Sequence, residues 1–155
     1  MKISLDYRVT NRKINHNYCL PGYYFITIIL KDRLELLGEI KDSKMVLNEA
    51  GEMIRDELKI INENFPYFSL KEFIVMPNHI HFILSISNKK NIVQLGTVIR
   101  WFKTRTTNKY IKGVKSKKWA EFNLKLWQRN YYDHIIKDAV EYKSVVYYIL
   151  NNPKN

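Results

Sequence analysis

Two histidines, His79 and His81, flank one apolar residue within Phe73-Ile74-Val75-Met76-Pro77-Asn78-His79-Ile80-His81-Phe82-Ile83-Leu84. The run is rich in β-branched and aromatic residues, which favours strand, and side chains alternate along a strand with a period of two. Both imidazoles therefore point to one face, where they can share a metal ion or a phosphate. The competing reading is structural: each buried imidazole then needs its own hydrogen-bond partner. A second spaced pair is Tyr148 and Asn152, four residues apart in the terminal segment and hence on one face of a helix. A phenol is a competent nucleophile once its proton is removed or its phosphate target is polarised, and an amide offers a carbonyl oxygen as ligand. One helix can thus present a nucleophile and a ligand to the same ion, although a lone tyrosine on a helix is also an ordinary core residue.

The elements that must position these groups are legible from periodicity. Tyr23 to Leu30 is apolar on both faces and predicts a central strand. Leu36–Ile40 and Lys44–Leu47 flank Lys41-Asp42-Ser43 and predict a small hairpin. Asn48 reads as the N-cap of a helix that places Met53, Ile54, Leu58 and Ile61 on one stripe and stops before Pro66. Leu70–Met76 and His79–Ser87 form a strand pair joined at Met76-Pro77-Asn78. A helix from about 92 to 111 turns Leu95, Val98, Ile99 and Phe102 inward, followed by a basic linker over 113–125. A short strand is expected within 126–136, and Asp138 caps a last helix ending at Asn152-Pro153. Pro153 disfavours a helical backbone at Asn152. This order predicts an α+β domain with an antiparallel sheet.

The 155 residues suit one domain with a real core. Residues 1–20 read as a polar, basic arm carrying Arg8, Arg12, Lys13 and His16. No apolar run approaches the roughly 20 residues of a membrane helix. The N-terminal residues lack the apolar stretch of a signal peptide, so a cytoplasmic location is expected. A single cysteine, Cys19, excludes an internal disulfide and a cysteine-based zinc site. The net charge of +11 points to a polyanionic partner, with nucleic acid the commonest. Its distribution supports this: from Arg100 to Lys118 there are eight basic residues and no acidic one. Arg100, Lys103, Arg105 and Lys109 are candidate phosphate contacts there, with Arg129, Arg12 and Lys13 elsewhere.

Met76-Pro77-Asn78-His79-Ile80-His81, Trp127-Gln128-Arg129-Asn130-Tyr131-Tyr132-Asp133-His134 and Tyr148-Ile149-Leu150-Asn151-Asn152-Pro153, in this order, resemble the REP-associated tyrosine transposases of the HUH single-tyrosine superfamily. The likeness extends to Pro21–Thr27, Gly38-Glu39-Ile40, Asn48-Glu49-Ala50-Gly51 and Phe102-Lys103, nearly the whole chain. It implies a ferredoxin-like antiparallel sheet with the histidine pair on a central strand. It implies cleavage and rejoining of single-stranded DNA beside imperfect hairpins, through a 5′-phosphotyrosine linkage, at the bacterial nucleoid. On that pattern His79 and His81 hold a divalent cation, Mg2+ or Mn2+, Tyr148 is the nucleophile, and Asn152 is a third ligand where other members of the superfamily carry glutamine. Two imidazoles and an amide suit manganese, zinc or nickel by softness, which sits less easily with magnesium. The superfamily includes monomers and dimers that exchange the tyrosine helix, so a homodimer is possible on sequence grounds.

Alternatives stay open within the chain. His134 rivals Asn152 as a ligand, and Tyr131 and Tyr132 rival Tyr148 as nucleophile. The 127–134 segment reads equally as a core edge or as a DNA-facing strand whose aromatics stack unpaired bases. A non-catalytic module that binds single-stranded or hairpin nucleic acid would use the same basic and aromatic residues without needing the histidines. A replication or conjugation nickase is a third reading, but such proteins usually carry further domains.

Overall fold

A strand that is apolar on both faces needs cover from both sides, and β1 (Gly22–Ile29) receives it. The computed structural model describes residues 16–154. In it β1 lies inside a four-stranded sheet of order β4-β5-β1-β6, built with β4 (Phe68–Val75), β5 (His79–Ile86) and β6 (Tyr132–Ile136). All three pairings are antiparallel. With α1 (Glu49–Lys59) between β1 and β4, and α3 (Leu95–Lys117) between β5 and β6, the connectivity is the ferredoxin-like split βαβ. The α+β class with an antiparallel sheet expected from the sequence is the architecture found, and the histidine pair lies on an inner strand. The β2 (Gly38–Lys41) and β3 (Lys44–Leu47) hairpin forms its own two-stranded sheet. Its turn is closed by Asp42 and Ser43, both with positive φ, as a two-residue hairpin turn requires.

The two sheet faces carry separate cores. Ile26, Ile28, Ile80, Phe82 and Leu84 project toward α1 and α3, where Ile54, Leu58, Val98, Ile99 and Phe102 meet them. Phe25, Ile83 and Ile136 project the other way, onto Val145 and Ile149 of α4 (Ala139–Asn151). Val145 and Ile149 are fully buried. Each contributes roughly 1.5–3 kcal/mol toward holding α4 on the sheet.

Local chemistry explains the helix limits. The Asn48 side chain accepts from Gly51 N at 2.9 Å, as an N-cap should. Gly51 lets α1 run against the Leu37 carbonyl, a place where any Cβ would collide with backbone. The first helix breaks at Ile60 before a single further turn, α2 (Ile61–Asn64). The helix expected to stop near 111 continues to Lys117, six residues further, into the supposed linker. Gly113 does not end it, because the Trp119 ring folds back into the space a side chain would fill. The end comes instead at Lys118, in a left-handed conformation whose N–H returns to the Gly113 carbonyl. Among the described residues no helix is long and apolar enough to cross a membrane.

Candidate active site

His79 and His81 point, as alternation requires, to one face of β5, and it is the α4 face. His81 sits opposite Thr27 of β1, and His79 opposite Ile29. Their ring centroids are 4.7 Å apart. The His79 end of β5 follows a tight turn through Pro77 and Asn78, closed by Met76 N to the His79 carbonyl at 2.8 Å. That turn is pinned from outside, since Leu30 N donates to the Asn78 carbonyl and Leu37 N to the Pro77 carbonyl.

Across this face lies the last turn of α4. The Tyr148 ring meets the His81 ring edge to face at 5.4 Å and the Phe25 ring at 6.1 Å. Asn152, buried, stands with its side chain against His79. The pairing has a simple metric. Four residues of helix rise about 6 Å, and two residues of strand advance about 6.8 Å. A helix running opposite to β5 therefore sets Tyr148 over His81 and Asn152 over His79 in one step. Pro153 does not keep Asn152 from the helical region (φ −55°, ψ −42°), contrary to the expectation from its sequence neighbour. The backbone passes into a 3-10 turn over 152–154, with Asn152 N bonded to the Ile149 carbonyl.

Each imidazole has one nitrogen engaged by an orienting group. Thr27 Oγ1 lies 2.7 Å from His81 Nδ1, and Asn78 Oδ1 lies 2.7 Å from His79 Nδ1. The Asn78 oxygen can only accept, so His79 Nδ1 donates and Nε2 is left able to bind a ligand; the Thr27 hydroxyl orients the His81 ring. Phe25 stacks on His81 with centroids 5.5 Å apart. Burial, and secondarily the neighbouring His79, push the His81 pKa down to about 3. His79 is also lowered, first by burial and then by the Arg33 charge, against which the Asn152 side chain acts. Both rings are therefore neutral at physiological pH, the form that coordinates metal.

Among the described residues, no three His, Cys, Asp or Glu side chains converge. A third protein donor beside the two imidazoles must then come from another residue type, and the Asn152 amide stands there. Two neutral imidazoles with fixed outer nitrogens and a carbonyl-type oxygen fit a divalent transition ion or manganese better than they fit calcium.

Other residues singled out by sequence take different places. His134 faces the same side, but it lies beyond β1, opposite Phe25, and pairs with Glu141 in the first turn of α4. At two strand spacings it is about 10 Å from the β5 backbone. Its partner Glu141 also accepts from Lys137 N at 2.7 Å. Burial pushes the Glu141 pKa up, but the Lys137 and His134 bonds outweigh it and hold it below the ordinary value of 4.5. His134 thus fastens α4 to the sheet. A testable consequence follows from the sign. A depressed carboxyl pKa contributes stability above about pH 4.5 that disappears as pH falls through the folded-state value. Thermal unfolding of Glu141→Gln should show a lower Tm than the parent at pH 7, with the gap closing toward pH 3; a gap independent of pH would contradict this role.

Tyr131 is buried on the opposite sheet face, against the α3 core. Tyr132 does lie on the histidine face, but opposite Thr27 on the far side of β1. Trp127 is also core, its Nε1 donating to Thr106 Oγ1 at 2.9 Å. The 127–134 segment is therefore a core edge at Trp127 and Tyr131, and its Arg129 is exposed.

The basic helix α3 packs on the sheet face away from the histidines. Lys103 turns inward and donates to the carbonyls of Gln128, Arg129 and Asn130 at 2.8, 3.3 and 3.3 Å. Burial lowers its pKa to about 8, with Lys125 adding to the effect. In this structure, where the sequence reading makes it a phosphate contact, it staples the 128–130 loop. Arg105 and Lys109 both pair with the buried Glu57 of α1, which ties α1 to α3. Arg100 remains exposed. Arg12 and Lys13 lie outside the described residues. Thr27, Asn78 and Phe25 were not foreseen as parts of the site; a lone threonine inside an apolar strand was the available signal.

Comparison with known proteins places the chain in a family. The family described as "Transposase IS200 like" matches residues 23–152, a span that contains both histidines, Tyr148 and Asn152. An uncharacterized Haemophilus influenzae protein is 32% identical over 96% of this chain and 89% of its own length. A second protein of that organism, provisionally named a REP-associated tyrosine transposase, is 27% identical over 85% of this chain and 70% of its own. The fold is shared with a REP-associated tyrosine transposase solved bound to a REP hairpin, with a TM-score of 0.66 and 21% identity over 92% of this chain and 73% of that one. The family match spans most of the chain and includes every group gathered around the histidine pair: the protein belongs to the IS200-like transposases.

Proposed function

We propose that this protein cleaves and rejoins single-stranded DNA beside an imperfect hairpin, with Tyr148 as the nucleophile. One observation carries the reading: a single turn of α4 lays Tyr148 on His81 and Asn152 on His79. The Tyr148 oxygen attacks the phosphorus of a phosphodiester, an O–P bond forms to the 5′ side, and the P–O3′ bond breaks. The departing 3′-oxygen takes up a proton, and the phosphotyrosine retains the energy of the original ester. A 3′-hydroxyl can then attack the same phosphorus and regenerate the phenol. Bound by His79, His81 and Asn152, a Mg2+ or Mn2+ ion would supply charge stabilisation for a non-bridging oxygen. The chain's own work is positional. Thr27, Asn78 and Phe25 hold the imidazoles, and Val145 and Ile149 hold the helix that presents Tyr148.

In this structure Tyr148 reaches the histidines of its own chain, so the geometry does not require a dimer. That a REP hairpin is bound by a protein of the same fold supports a DNA hairpin as the partner. The test is direct. Purified protein, with Mn2+ or Mg2+, is mixed with a labelled pool of DNA hairpins flanked by randomised single strands. The expected result is a protein–DNA adduct that survives denaturation, with one flanking sequence enriched. If neither metal yields an adduct while hairpin binding is retained, the protein is a binding module and the cleavage reading fails.

A further inference from the structure

The turn that follows β1 places a cation at the rim of the histidine pair. Lys31–Arg33 forms a single 3-10 turn in which Asp32 (φ 58°) and Arg33 (φ 53°) are both left-handed. Two successive non-glycine residues in that region are disfavoured, and such strain persists only where surrounding bonds hold it. Those bonds lead to the site. Arg33 N donates to the Leu30 carbonyl at 3.0 Å, and the Arg33 carbonyl accepts from Asn78 Nδ2 at 3.3 Å. The Asn78 Oδ1 of the same side chain lies 2.7 Å from His79 Nδ1. One asparagine thus fixes the Arg33 backbone with one end and the His79 ring with the other.

The Arg33 side chain is exposed, and among the described residues it makes no ion pair. Several other cations of the chain are engaged within it. Lys31 faces Asp32 at 3.8 Å, Lys103 is bound to three carbonyls, and Arg105 and Lys109 share Glu57. The Arg33 charge nevertheless reaches the site, since it depresses the pKa of His79. A permanent positive charge on a backbone tied through Asn78 to the His79 ring, with no ion pair of its own among the described residues, is suited to a phosphate oxygen.

We propose that Arg33 binds a non-bridging oxygen of the DNA phosphate that lies against the His79–His81 pair. The inference deepens the cleavage reading above and rests on it for the identity of the phosphate as the scissile one. Arginine suits the place because its guanidinium stays charged at every working pH and offers two parallel donors to a phosphate. In the transition state, as negative charge grows on those oxygens, the contact strengthens.

A thermodynamic cycle tests it without turnover. In a Tyr148→Phe background with Mn2+ present, hairpin oligonucleotides carry a neutral methylphosphonate at each single-stranded linkage in turn. One linkage is expected to lose about tenfold in affinity when neutralised. In Arg33→Ala and Arg33→Gln chains of unchanged Tm, the penalty at that linkage should vanish while those at other linkages remain. Equal penalties at every linkage with and without Arg33 would overturn the proposal. The parallel measurement is adduct formation with Tyr148 intact, where Arg33→Ala should slow the reaction about 10²- to 10³-fold. Coupling at one linkage without any adduct from the parent protein would keep the phosphate contact and defeat the cleavage reading. An adduct formed without such coupling would do the reverse.

Discussion

Tyr148→Phe is expected to abolish the covalent protein–DNA adduct while leaving hairpin binding within about threefold of the parent, a difference of about 0.65 kcal/mol. The ring makes the packing contacts, meeting His81 at 5.4 Å and Phe25 at 6.1 Å, and phenylalanine keeps that ring. Only the oxygen is lost, and no other atom of the side chain can form the ester. The loss should therefore exceed about 10³-fold in rate, in line with removal of a nucleophile rather than a binding group. Circular dichroism and Tm should be nearly unchanged. A denaturing gel that still shows the adduct in this variant would move the nucleophile elsewhere. Tyr132 is then the residue to examine, because it alone of the two rival tyrosines shares the histidine face.

The second large effect concerns the histidines, and the two should differ in how they fail. His79→Ala removes a half-buried ring whose partners, Asn78 and Asn152, stand at the edge of the site. It should abolish metal-dependent cleavage and weaken Mn2+ binding, with little change in Tm. His81→Ala removes a ring that is 4% exposed, stacks on Phe25 and bonds to Thr27. It leaves a cavity and an unpaired hydroxyl, and should cost about 2 kcal/mol of stability besides activity. For a domain of this size that is a fall of about 4–8 °C in Tm. Both losses can be read by Mn2+ titration calorimetry, adduct formation and thermal unfolding on the same preparations. Undiminished adduct from the double variant would mean that the histidines serve structure alone.

Much of the scaffold was legible because its signals are local. The Asn48 and Asp138 caps, the hairpin at Asp42-Ser43 and the continuous apolar runs of β1 and β5 each depend on neighbours within a few residues. The misplaced helix end near 111 was not local. Gly113 reads as a stop, and only the return of Trp119 onto it shows why the helix continues. The partners of the basic run from Arg100 to Lys118 are not local either. Its charges look like one phosphate groove, yet Lys103 turns to loop carbonyls, and Arg105 and Lys109 meet Glu57, a residue some 50 positions earlier. Net charge in a window says nothing about which charges a tertiary partner has already neutralised.

By itself the sequence determined that His79 and His81 share a face, because a strand alternates with a period of two, and that Tyr148 and Asn152 share another, because a helix repeats near four. It also determined the antiparallel α+β class, through the order and length of the apolar runs. Which face of the sheet α4 would cover was decided only in three dimensions. So was the register that sets Thr27 beside His81, since strand pairing joins residues 54 positions apart and no local pattern encodes it. The same holds for the strained turn that brings Arg33 to the rim of the site, a place visible only once Asn78 is seen bonding to both Arg33 and His79.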